Sequence, residues 1–135
     1  MERVFLIGVQ PKGRSTLWTA KDSLQELGDL ARSAGARVVY QAIQNQARPS
    51  HHYLGGGKLQ ELKSLANHHG VHTFICDDEL TPTQQRNLEN SLDGIKIIDR
   101  TALILDVFAR RARTKEGRLQ VELAQHEYLL PRLAG

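Results

Sequence analysis

Four short apolar runs, each separated from the next by a stretch of helical character, set the tightest limit on what this chain can fold into. They are Val4-Phe5-Leu6-Ile7, Val38-Val39-Tyr40, Val71 to Cys76 and Ile95 to Ile98, all rich in β-branched and aromatic residues. Strands that alternate with helices build a parallel sheet. The expectation is an α/β fold: a four-stranded, mainly parallel sheet flanked by helices. The first helix, about residues 20–34, gathers Leu24, Leu27, Leu30, Ala31 and Ala34 on one face. The second, about 58–68, gathers Leu59, Leu62, Leu65 and Ala66. At ~100° per residue each set forms a single stripe, enough to cover one face of a sheet.

The two helices are alike in sequence. Leu24-Gln25-Glu26-Leu27, Leu30-Ala31 and Gly35 match Leu59-Gln60-Glu61-Leu62, Leu65-Ala66 and Gly70 at identical offsets. The glycines suit the left-handed residue that ends a helix. A third helix is announced by Thr81-Pro82-Thr83-Gln84, with a Thr N-cap, Pro at the first helical position and Gln three residues after the cap. It runs to about Leu92, and Gly94 stops it before the fourth strand. Asp99 or Thr101 can cap a fourth helix carrying Leu103, Ile104, Val107 and Phe108. The last helical stretch, about 114–130, has two apolar faces: Leu119, Leu123 and Leu130 on one side, Val121, Ala124 and Tyr128 nearly opposite. Such a helix needs two partners. It reads as half of an antiparallel helical hairpin, or as a face that self-associates. The division expected is an α/β subdomain over 1–99 and a helical subdomain over 100–135.

Composition narrows the function classes. The chain of 135 residues fits one domain of ordinary size, with 40% hydrophobic residues to build a core. No apolar run approaches the ~20 residues that cross a bilayer, and the apolar start is too short for a signal peptide. The single cysteine, Cys76, excludes an internal disulfide and a cysteine-based zinc site. A soluble, cytoplasmic domain is expected. Its charge is uneven. Residues 77–95 hold Arg86 against Asp77, Asp78, Glu79, Glu89 and Asp93, whereas Arg110, Arg111, Arg113, Lys115 and Arg118 face only Glu116. Five cations at a helix-to-helix junction can neutralise several phosphates, and Arg does so with bidentate geometry.

Other motifs carry less chemistry. Gly55-Gly56-Gly57-Lys58 precedes the second helix, and helix N-termini attract anions. A P-loop would need a glycine where His52 stands and a hydroxyl where Leu59 stands. The acidic Asp77 and Asp78 lie at the C-terminal end of a predicted strand, where open α/β sheets place ligands. They can hold Mg²⁺, or simply solvate the loop before the third helix. The pairs His51-His52 and His68-His69, with His72, lack chelating spacing, and no metal site is expected. Nothing resembles a nucleophile elbow.

Three blocks resemble the N-terminal domain of the HflX GTPases. They are Tyr53-Leu54-Gly55-Gly56-Gly57-Lys58-Leu59-Gln60-Glu61-Leu62, then Asp78 to Glu89, and most closely Asp99-Arg100-Thr101-Ala102-Leu103-Ile104-Leu105-Asp106-Val107-Phe108-Ala109. The third block continues from Arg111 to Gln125 and ends in Leu130-Pro131-Arg132-Leu133. The resemblance implies a parallel-sheet subdomain followed by two long antiparallel helices, of which this chain carries the first. It also implies a parent that binds the large ribosomal subunit and its rRNA, splits stalled ribosomes under stress, and hydrolyses GTP with Mg²⁺ in a separate GTPase domain. This sequence has no P-loop and no guanine-specificity motif, so a non-catalytic domain without a cofactor of its own is expected, a fragment that also meets the GTPase domain, with a stand-alone relative as the alternative. On that reading Arg110, Arg111, Arg113, Lys115, Arg118 and Arg132 contact RNA, with Lys58 as a lesser contact. The alternative is a small adenine-nucleotide-binding domain with weak ATPase activity. It would use Gly55, Gly56, Gly57 and Lys58 for phosphates and Asp77 or Asp78 for Mg²⁺.

Overall fold

A computed structural model of the chain describes residues 2–11, 19–46 and 53–133; the His51-His52 pair lies outside them. The elements follow in the order β1 (Glu2–Pro11), α1 (Ala20–Ser33), β2 (Ala36–Gln46), α2 (Gly56–His69), β3 (Thr73–Cys76), α3 (Pro82–Ser91), β4 (Lys96–Asp99), α4 (Arg100–Arg111) and α5 (Lys115–Leu133). The four strands form one sheet in the order β2-β1-β3-β4, and every pairing is parallel. The α/β fold with a four-stranded parallel sheet is thus as expected.

Right-handed crossovers explain the layering. The chain moves from β1 to β2 in one direction and from β2 across β1 to β3 in the other, so α1 and α2 fall on opposite faces. Side chains alternate accordingly. Phe5, Ile7, Phe74, Cys76 and Ile97 join Leu59, Leu62, Ala66, Leu88 and Leu92 beneath α2 and α3. Val4, Leu6 and Ile75 join Leu24, Leu27, Ala31, Leu103 and Val107 beneath α1 and α4. The matching stripes of α1 and α2 therefore do one job on two faces. Both helices bury the same three positions of the motif, and Gly35 and Gly70 both follow with positive φ, +86° and +64°.

Caps set the helix starts. Thr81 and Gln84 form the expected capping box, Asp99 caps α4 through its bond from the Ala102 amide at 3.0 Å, and Thr19 and Asp22 form a second capping box at α1. Strands β1 and β2 run well beyond their apolar cores. Parallel pairing continues from Gly8↔Ile43 to Pro11↔Gln46 through residues that the hydropathy pattern leaves unmarked. Helix α2 begins at Gly56, so the glycine run forms its first turn instead of a loop ahead of it.

Helix α5 differs from the other helices: none of its residues is buried. Val121, Ala124 and Tyr128 are half-buried against the body, while Leu119, Leu123 and Leu130 point outward, Leu123 being 60% and Leu130 62% exposed. The two-faced pattern of the sequence is the arrangement observed.

Candidate nucleic-acid interface

Helices α1 and α4 both start at the C-terminal edge of the sheet and run back to its N-terminal edge. There α4 ends in Arg110 and Arg111, a three-residue connector carries Arg113, and α5 begins with Lys115 and Arg118. All five cations are exposed. Thr114 makes this turn possible by accepting the Gly117 amide on its hydroxyl at 2.9 Å. Gly117 suits the position, because a Cβ there would lie 2.9 Å from that same oxygen. Arg111 reaches the Ser33 hydroxyl at 3.5 Å, and Arg110 lies 3.9 Å from Asp106 across a solvated gap. Among the described residues, Arg113, Lys115 and Arg118 form no ion pair or hydrogen bond through their side chains.

The two halves of the cluster sit differently in the backbone field. Arg110 and Arg111 end a helix, where the dipole favours cations; Lys115 and Arg118 lie at the start of one, where it opposes them. Cations beside a positive helix end create a local potential that an anion would relieve.

The other candidates lie elsewhere. Lys58 sits on α2, across the sheet, 3.7 Å from Glu61. Arg132 lies at the far end of α5, roughly 26 Å from Lys115 at 1.5 Å per residue, and its guanidinium is turned inward. It donates to the Leu80 carbonyl at 2.6 Å and to the Tyr128 carbonyl at 2.9 Å, and stacks 3.7 Å over the Tyr128 ring.

At the C-terminal edge of the sheet the acidic residues are engaged. Arg100 donates to Asp77 from Nη2 at 2.7 Å and from Nε at 3.0 Å, to Glu26 at 2.7 Å, and to the Ser23 carbonyl and hydroxyl at 3.1 Å each. It clamps the ends of β3 and β4 to the start of α1. The buried Tyr53, held at φ 69°, donates to Asp78 at 2.8 Å. Burial lifts the Asp78 carboxyl above its ordinary value, and the Tyr53 bond opposes that shift without cancelling it. Gly56 and Gly57 face open space, but the Gly55 amide is already bonded to Gln44 Oε1 at 2.9 Å. Among the described residues no group of three or more His, Cys, Asp or Glu side chains could hold a metal ion. None of the described helices is long and apolar enough to cross a membrane.

Comparison with known proteins settles the lineage. Residues 21–109 match the family described as GTP-binding GTPase N-terminal, and residues 111–135 match the GTP-binding GTPase middle region. The chain belongs to the HflX family. GTPase HflX of Lacrimispora saccharolytica is 48% identical over 136 residues, covering 99% of this chain and 31% of that protein. GTPase HflX of Caldanaerobacter subterraneus is 53% identical over 116 residues, covering 85% of this chain and 27% of that protein. The chain thus spans about a third or less of its HflX relatives. Among solved structures, a GTP-binding protein from Sulfolobus solfataricus in complex with GDP superposes with a TM-score of 0.75 at 26% identity, over 98% of this chain and 38% of that one. The boundary between the two HflX family regions, residues 109–111, falls at the end of α4, where the cation cluster of this chain lies.

Sequence reasoning found the cluster but not the clamp. The role of Arg100 leaves no mark in the sequence, because its partners Glu26 and Ser23 stand 74 and 77 residues away in the chain and no local pattern announces such a pairing.

Proposed function

We propose that this chain is the non-catalytic, RNA-facing part of an HflX GTPase, and that it meets the rRNA of the large ribosomal subunit through Arg110, Arg111, Arg113, Lys115 and Arg118. The observation that carries this reading is the convergence of five exposed cations at one helical junction, three of them forming no side-chain ion pair or hydrogen bond among the described residues. Lys58 and Arg132 add little, because one lies across the sheet and the other is committed to the body. GTP and Mg²⁺ belong to the GTPase domain of the parent. The parent, on this reading, is a cytoplasmic GTP hydrolase that acts on stalled ribosomes under stress.

Five phosphate contacts give a salt slope of about −3.5 to −4.5, or a roughly 100- to 500-fold loss of affinity between 50 and 200 mM salt. Binding to purified large subunits, measured at those two concentrations, is expected to show it. Reversing Arg110, Arg111 and Arg113 to Glu should abolish saturable binding at 200 mM. Unchanged binding by that variant rejects the cluster as the contact.

A further inference from the structure

Helix α5 is long, exposed and joined to α4 by three residues, yet it contributes no buried side chain to either core. A cleft of about 290 Å³ separates it from α3, β4 and α4, lined in part by Ile98, Leu103, Gln125 and Leu129. Its apolar packing against the body is limited to the half-buried Val121 and Ala124 beside the Tyr128 ring. A small polar assembly stands at its far end. The Tyr128 hydroxyl donates to Asp99 Oδ2. Asp99 is 1% exposed and also accepts the Leu80 amide, at 3.0 Å. The Leu80 carbonyl in turn takes the Arg132 guanidinium, which lies flat on the Tyr128 ring. Both backbone polar groups of Leu80 are thereby used, one through Asp99 and one through Arg132, and α5 is bound to the strand end and to the approach to α3.

We propose that Tyr128, Asp99 and Arg132 form a latch that holds α5 at a fixed angle to the body, and that they are positioning residues for the cation cluster. The cluster is split between two helices: Arg110 and Arg111 end α4, while Lys115 and Arg118 begin α5. Their spacing is constant only while α5 cannot swing about residues 112–114. This proposal rests on the RNA-facing reading above and adds to it the device that keeps the contact in register. It also gives Arg132 a role distinct from phosphate contact.

The test is hydrogen exchange on the full chain, with Tyr128→Phe, which deletes one hydroxyl and keeps the ring, and Arg132→Met, which removes the bonds to the Leu80 and Tyr128 carbonyls. Exchange across residues 115–133 should quicken at least tenfold in both variants, with the amides of β1 and β3 unchanged. Exchange in α5 within twofold of the wild type in both overturns the latch. Affinity for large subunits, with all five cluster cations intact, should fall three- to tenfold in Tyr128→Phe. Faster exchange with undiminished affinity overturns the positioning role. A wild-type chain that does not bind large subunits at all overturns the RNA reading by itself, and the exchange data still decide the latch.

Discussion

The α/β body and helix α5 are held by different forces. In the body, strand side chains alternate into two cores, and Phe5, Phe74, Leu24 and Leu62 are wholly or almost wholly removed from water. In α5, Leu119, Leu123 and Leu130 point outward, and beside the half-buried Val121 and Ala124 the attachment runs through a hydroxyl, a carboxylate and a guanidinium. Apolar burial is strong and non-directional, so it makes a robust body. A few polar bonds are directional and weaker in sum, so they set an orientation without building a core. The family's second region thus begins, in this chain, as an appendage whose geometry and stability have separate origins.

Truncating the same residue type in the two regions gives the largest contrast. Leu62→Ala is expected to destabilise the fold by about 2–5 kcal/mol, the usual cost of emptying a leucine site in a core. Leu123→Ala should change stability by less than about 0.5 kcal/mol, as exposed sites do. Urea denaturation monitored by circular dichroism measures both, and equal effects would mean that body and α5 are held alike. Next in size is Asp99→Ala, which removes the α4 cap and strands the buried Leu80 amide. A loss of about 2–3 kcal/mol is expected from a cap and one unsatisfied donor together. A loss under about 1 kcal/mol would mean that α4 and α5 are fixed by something else.

The smallest effect concerns pH. Asp78 is raised in the folded chain by burial, so its contribution to stability is present below the ordinary carboxylate value and is lost as pH rises through the raised one. Asp78→Asn removes that loss. Its melting temperature relative to the wild type should be most favourable at pH 7, and the difference should shrink as the pH approaches 4. A difference independent of pH would mean that the carboxyl carries no such burden.

Much of the body was legible because its rules are local. The stripe of Leu24, Leu27 and Ala31, repeated at Leu59, Leu62 and Ala66, marks the buried faces, and Thr81 with Gln84 marks a helix start. The strand lengths were not legible, because hydropathy marks only the residues covered on both faces. Val4 to Ile7 are buried, whereas β2 carries on through the exposed Gln41 and Asn45, whose ladder bonds leave no trace in composition. The cation cluster was visible as a run of charge. The inward turn of Arg132 was not, since the carbonyl that draws it belongs to Leu80, 52 residues earlier. Charge can be read from a sequence, but the choice between solvent and an internal carbonyl is made by the fold.

Cys76 offers a use that follows from its place on β3. The thiol is 1% exposed, and burial first, then the nearby Asp99, pushes its ionisation far above the ordinary value. A sulfhydryl with neither access nor thiolate character resists both alkylating reagents and peroxide. Modification must therefore wait for the strand to come apart. Because the sequence holds one cysteine, the rate at which a maleimide dye couples to the native chain counts excursions of the sheet itself.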